Sequence, residues 1–232
     1  MNRILVICAH PDDEVLGCGG TLLKHRSKKD EINLLFVYEG SSRGNTKNKK
    51  NILLNLKKRE NSALKVAKYL KAKSIKFLNN ENLNSESSLK IKVTNEITEH
   101  INKIKPSIIY THSSKDLNID HRNCFESVLI ATRTNHKNKL KKIISFEIPS
   151  STEWSFNSFG AFKANYFVDI EKFINDKLKL LNMYKYELKP FPYPRSKENI
   201  ISQSKYAGSY VGFKFAEKFE IIKFLDWAWK AR

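Results

Sequence analysis

The chain has 232 residues, 41% hydrophobic and including 14 Phe, 9 Tyr and 3 Trp, enough to build one substantial core and to exclude wholesale disorder. Its 42 Lys and Arg against 24 Asp and Glu leave a formal charge of +18, but the lysines are scattered among Asn and Ile as solvated residues, and no nucleic-acid-binding motif accompanies them. Three cysteines, Cys8, Cys18 and Cys124, without CxxC spacing exclude a disulfide framework and a cysteine zinc site.

"RILVICA" at the start reads as a fully buried strand, short, β-branched and without alternation. It meets charge at once, so it is neither a signal peptide nor long enough to span a bilayer, and a reducing cytoplasm is the expected location. "DEVLGCGGTLLKHRSK" turns helical after its glycines, "INLLFVYEG" is a second buried strand, and "SSRGNTKNKKN" is a polar loop. Leu56, Ala63, Val66, Ala67 and Leu70 then recur at helical spacing. "SIKFLN" is a brief strand, Leu89 to Lys103 a further amphipathic helix, and "SIIYTH" a strand after Pro106. "KIISFEI" and "ANYFVDI" read as additional strands, and "EKFINDKLKLLNMYKYEL" as a helix entering the Pro-rich "KPFPYPRS".

Strands alternating with helices across short connections predict an α/β architecture: a three-layer, Rossmann-like fold with a mostly parallel sheet. No linker or repeat interrupts it, so 1–232 reads as one domain, with about 141–232 an extension of it. Ligands of such sheets bind at the carboxyl ends of strands. The acidic cluster His10 to Glu14, "EGSSRGN" and "THSSKDLNIDHRN" all follow strands and open on that edge.

Two adjacent carboxylates at the end of a buried strand repel each other and lose hydration, so they demand a positive partner. The first and third loops together offer His10, Asp13 and His121, the two-nitrogen, one-carboxylate set of a catalytic zinc with an open position. About 110 residues separate the halves, so their convergence follows from the fold and not from spacing. The same set suits Fe(II).

"AHPDDEVLGCGGTL" and "DLNIDHR" resemble the two signature segments of the PIG-L or LmbE-like family of zinc-dependent N-deacetylases, which act on N-acetylglucosamine-type sugars. Further similarity runs through "KRENSALKVAKYL", "FEIPSSTEW" and "FPYPRS", and looks closest to bacterial members linked to cell-surface glycan synthesis. The resemblance implies that His10, Asp13 and His121 hold the metal, with Asp12 as general base. Pro11 restrains the loop that carries them. Many members have a histidine three residues before the distal ligand, where it stabilises the oxyanion; here that position is Asn118, whose amide can donate a hydrogen bond but no proton. Asp116 or Asp120 is expected to orient His121. Arg43 and Arg195 are candidates for gripping substrate hydroxyls or phosphate.

His25, His100, His112 and His136 carry no comparable pattern and read as surface or structural residues, His112 least securely because it ends a strand. "SSTEW", with Glu153 and Trp154, could line a sugar site or end a strand, and reads as the second. "GCGG" lacks the spacing of a dinucleotide-binding loop and reads as a tight turn with close helix packing. The expected protein is a zinc-dependent N-deacetylase, or one using Fe2+ or another divalent metal. Its expected partner is a small N-acetyl sugar, phosphate-bearing on a nucleotide or lipid carrier, with no nucleic acid and no membrane insertion. The competing readings are a catalytically idle relative that binds glycan and a basic nucleic-acid-binding module. Neither the sugar nor the oligomeric state is legible.

Overall fold

The first strand, β1 (Arg3–Cys8), is covered on both faces, which is why its sequence does not alternate. Ile4, Val6 and Cys8 enter one core cluster, and Leu5, Ile7 and Ala9 enter another. The computed structural model describes residues 1–40, 49–80, 87–133 and 140–226. After β1 come α1 (Asp13–Ser27), β2 (Glu31–Tyr38), α2 (Lys49–Leu70), β3 (Ser74–Asn80), α3 (Ser87–Ile104), β4 (Ile108–His112), α4 (Ile119–Ala131) and β5 (Lys142–Phe146). The chain continues through β6 (Tyr166–Asp169), α5 (Ile174–Met183), α6 (Lys197–Ser209) and β7 (Ala216–Phe224).

These strands form one seven-stranded sheet in the order β3-β2-β1-β4-β5-β7-β6. The pairs from β3 through β5 are parallel, while β7 runs antiparallel to both β5 and β6. Side chains of α1, α2, α5 and α6 join the core on one face, and those of α3 and α4 join it on the other. This is the expected three-layer α/β arrangement. Strand order reverses at β1: the chain leaves β1 into α1 on one face and β4 into α4 on the other. A crevice therefore opens between the carboxyl ends of β1 and β4.

Helix α1 departs from the sequence reading. It begins at Asp13, before the glycines, because the Asp12 carbonyl already accepts from Val15 and Leu16 N–H at 3.1 and 3.0 Å. Two acids in its first turn suit the positive end of the helix dipole. The glycines lie inside the helix and serve packing: a Cβ on Gly17 would come within 2.4 Å of the Phe146 ring. At Cys18 (φ −145°, ψ 20°) the helix breaks and restarts, which orphans N–H groups of the second half. Glu217 of β7 supplies their acceptor, taking the N–H of Gly20 and Thr21 at 2.8 and 2.7 Å and the Thr21 hydroxyl at 2.6 Å. Lys177 of α5, buried like Glu217, pairs with the same carboxylate at 2.7 Å.

The sequence reading has no α4, α6 or β7. "DLNIDHRN" read as loop because its polar residues hide the helical period, and α6 buries only Ile200, Ser204, Ala207 and Gly208, too few to mark a face. His121 therefore sits in the first turn of a helix capped by the Asn118 side chain, which accepts from Asp120 N–H.

Glu217→Ala strands a buried ammonium and two helix N–H groups, so urea denaturation should show a loss of about 3–5 kcal/mol. A Lys177→Met/Glu217→Leu double variant should recover only the part due to the stranded ammonium, since the Gly20 and Thr21 N–H groups stay unpaired, and a single-variant loss below about 1 kcal/mol would contradict this account.

Candidate metal centre and its cleft

Three side chains meet at the β1–β4 crevice. His10 and Asp13 come from the turn after β1, and His121 from the start of α4; one ligand atom from each lies within 4.8 Å of the others, and all three residues are buried. Asp13 Oδ2 accepts the backbone N–H of His10 at 2.8 Å and lies 3.6 Å from both His10 Nδ1 and His121 Nε2. Its other oxygen, Oδ1, is buried with no hydrogen-bond partner. A buried carboxylate oxygen left unpaired beside two imidazole nitrogens suits a divalent cation.

Each imidazole is braced on its far nitrogen. His10 Nε2 lies 3.1 Å from Asp120 Oδ2, and His121 Nδ1 lies 3.1 Å from Asp116 Oδ2, the latter with poor angular alignment for a hydrogen bond. Such carboxylate–histidine contacts fix which nitrogen faces the metal position. The expected orienting acids are thus divided: Asp116 serves His121, and Asp120, its neighbour in sequence, serves His10. Asp116 is itself held by Asn118 N–H at 2.8 Å, by Thr152 Oγ1 at 2.7 Å and by the Ser151 hydroxyl.

His112, expected to be a surface or structural residue, belongs to this cluster. Its Nε2 accepts the Ala9 N–H at 2.8 Å and lies 3.3 Å from Asp13 Oδ2. The ring stacks on His121 at 4.0 Å, with Phe146 edge-on behind it. The only available signal was its place at the carboxyl end of a strand.

The charges respond to this crowding. For His10, burial favours the neutral ring, but Asp120 and Asp13 outweigh it and raise the pKa to about 9. Burial and neighbouring His112 push His121 down to about 4. Burial would lift Asp13 and Asp116, yet His121 and the surrounding donors hold Asp13 well below the usual carboxylate range and Asp116 at about 2. The cluster is a concentrated anionic site.

Asp12 lines the same cavity as these ligands but is held by other partners. Its backbone has φ 118°, a region that costs a non-glycine residue about 1–3 kcal/mol. Asp12 N–H donates to Glu14 Oε2 at 3.0 Å, and Tyr184 at the end of α5 donates its hydroxyl to Glu14 Oε1 at 2.7 Å, so buried groups hold the strained turn. Arg195 Nη1 donates to Asp12 Oδ2 at 2.9 Å, while its Nε donates to Ser150 Oγ at 2.8 Å. Burial raises the Asp12 pKa, Arg195 opposes it, and the balance stands at about 7; burial raises Glu14 to about 8. Arg195, expected to grip substrate, is thus engaged first with Asp12.

These groups line a cavity of about 210 Å³ that also takes in Asn118, Arg59, Trp154 and Tyr193. Because Asn118 Oδ1 serves as the helix cap, its NH2 is the free end, and that nitrogen is buried without a partner. Arg59 of α2, not singled out in the sequence, reaches the cavity and pairs with Glu187 at 2.6 Å. Gly40 (φ 71°) admits both Arg59 and His10, since a Cβ there would lie 2.8 Å from Arg59 Nη1 and 2.9 Å from His10 Cδ2. "SSTEW" divides: Glu153 turns back to accept from Ser150 and Ser151 N–H, while Ser150 and Trp154 line the cavity. The segment is a turn of 3-10 helix and not a strand end. Arg43 and His136 lie outside the described residues. His25 contacts Asp30 and Tyr110 and is not part of the cluster.

Three solved structures share the fold. The N,N'-diacetylchitobiose deacetylase of Pyrococcus horikoshii, complexed with an inhibitor, superposes with a TM-score of 0.73 at 20% identity, covering 95% of this chain and 84% of that one. The 4-carboxy-2-hydroxymuconate hydratase of Pseudomonas putida KT2440 does so with 0.74 at 18%, covering 100% of both chains. A zinc-inhibited form of teicoplanin deacetylase gives 0.71 at 12%, covering 94% and 96%. At these identities the likeness is one of fold, and the fold carries more than one chemistry. Sequence is more specific: the profile of the PIG-L family, GlcNAc-PI de-N-acetylase, matches residues 5–132, which run from β1 through α4 and include His10, Asp13, Asn118 and His121. With more than half of its length matched, the His10, Asp13 and His121 cluster included, the chain belongs to the PIG-L family.

Proposed function

We propose that the protein is a zinc-dependent N-deacetylase that removes acetyl from an N-acetylamino sugar, on a nucleotide or lipid carrier, in cell-surface glycan synthesis in the cytoplasm. One observation carries this reading: a buried His10–Asp13–His121 cluster faces the same cavity as a second carboxylate, Asp12, and an unpaired amide NH2, Asn118. Membership of the PIG-L family supports the reaction type, and the two-nitrogen, one-carboxylate set supports zinc, with Fe2+ as the competing ion.

The ion supplies Lewis acidity, which lowers the pKa of water and polarises an amide carbonyl. The chain's own residues do the rest. Asp12, whose carboxylate faces the same cavity as the cluster, takes a proton from the attacking water and returns it to the amine nitrogen as the C–N bond breaks. Asn118 donates its NH2 to the carbonyl oxygen as negative charge builds there. Arg195 keeps the Asp12 carboxylate in place, and Trp154 offers a flat apolar wall for a sugar ring. Acetate and a free amino sugar leave.

Asp12→Asn should lower kcat for acetate release by about 100- to 10,000-fold while the protein still copurifies with its metal, as elemental analysis would show. Asn118→Ser retains a capping oxygen but loses the NH2, so kcat should fall by about 100- to 1,000-fold with little change in thermal stability. Chelation should abolish acetate release, and added Zn2+ should restore it. Were metal-loaded protein to release no acetate from any of a panel of free, nucleotide-linked and lipid-linked N-acetyl sugars, the idle glycan-binding relative would be the better reading.

A further inference from the structure

The rim of the cleft carries exposed rings that the proposed chemistry does not use. From the turn at Glu153–Ser155 to β6 the chain has no helix or strand, and here Phe156 is 83% and Phe159 41% exposed. A second rim segment, "KPFPYPRSK", carries Phe191 at 58%. The two segments touch through Trp154 and Tyr193, whose rings lie 5.9 Å apart edge to face and which both line the cavity. Leu117, half exposed, adjoins cavity-lining Asn118 on the same side, and its N–H donates to Ser151 C=O. The exposed rings thus border one mouth.

Charge on this rim is mainly positive, although exposed Glu153 opens its first segment and Glu220 lies near Lys115 and Lys163. No acidic residue occurs from Trp154 to Val168 or from Leu188 to Lys197. Cations flank the rings instead: the Arg122 guanidinium lies 4.0 Å over Phe159, Lys189 Nζ lies 4.6 Å over Tyr193, Lys115 approaches Gly160, and Lys163 is exposed. Isolated rings separated by Asn, Ser and Pro make no groove for a partner helix. They match a surface with hydrocarbon below and phosphate above, and a chain of net charge +18 is drawn to such a surface when it is anionic. Among the described residues no helix is long and apolar enough to cross a membrane.

We propose that this rim docks on an anionic bilayer, with Phe156, Phe159 and Phe191 entering the interface while Lys115, Lys163 and Lys189 meet lipid phosphates. Resting on the deacetylase reading for its purpose, the docking turns the cleft toward a sugar carried by a lipid in that layer.

The test is cosedimentation of the full chain with vesicles of phosphatidylcholine alone or mixed with phosphatidylglycerol. Binding is expected only to the mixed vesicles and should weaken as salt rises. The Phe156→Ser/Phe191→Ser variant should bind at least about tenfold more weakly, with an unchanged circular dichroism spectrum and unchanged acetate release from a water-soluble substrate. Absence of binding to the mixed vesicles overturns the proposal, as does equal binding by the variant. So does a concentration-dependent dimer, seen by analytical ultracentrifugation, that the two substitutions abolish, because the rim would then bind a second copy. Vesicle binding is read without turnover: binding without acetate release would fault the deacetylase reading alone, and acetate release without binding would fault the docking alone.

Discussion

Everything at the working end of this protein follows from gathering buried carboxylates around one small cavity. Asp12, Asp13, Glu14, Asp116 and Asp120 are all buried within the crevice between β1 and β4. In that setting each needs a donor or a cation. Arginine answers one, tyrosine and backbone N–H another, hydroxyls a third, and imidazoles answer the remainder, leaving Asp13 Oδ1 with nothing among the described residues. The shortage of positive charge is local and directional, in a chain whose net charge is strongly positive, and it falls where His10, Asp13 and His121 could hold a metal ion.

The fold sets up that shortage through topology. Because the strand order reverses at β1, two turns separated by more than a hundred residues face each other across a few ångströms, one feeding a helix above the sheet and the other a helix below. Rigid strands on both sides fix their separation, and caps fix their exits: the Asp12 carbonyl starts α1 and the Asn118 side chain starts α4. Asn118 illustrates how tightly local structure and chemistry are joined here. Its oxygen is occupied by the helix, and that occupation determines which end of the amide faces the cavity.

The alternation of apolar runs with helical periods carried the fold in the sequence, and the order of chemical groups along two loops carried the ligand cluster. What stayed hidden was of a different physical kind. Helices α4 and α6 bury narrow stripes, and polar residues with work of their own interrupt the period. His112 and Arg59 sit in elements whose sequence signals packing, so only three-dimensional proximity reveals them. The division of Asp116 and Asp120 between two different histidines is equally invisible, since adjacent residues at a helix start point in diverging directions. Arg195 shows the converse: a loop cation read as a hand for substrate is already holding a neighbour's carboxylate.

The hydroxyls of Ser151 and Thr152 close on Asp116, which in turn lies against His121. That short relay ties the turn after β5 to the His121 imidazole, so the orientation of that ring and the order of the turn depend on each other. Trp154 stands two residues beyond Thr152, so the same relay also sets one wall of the cavity.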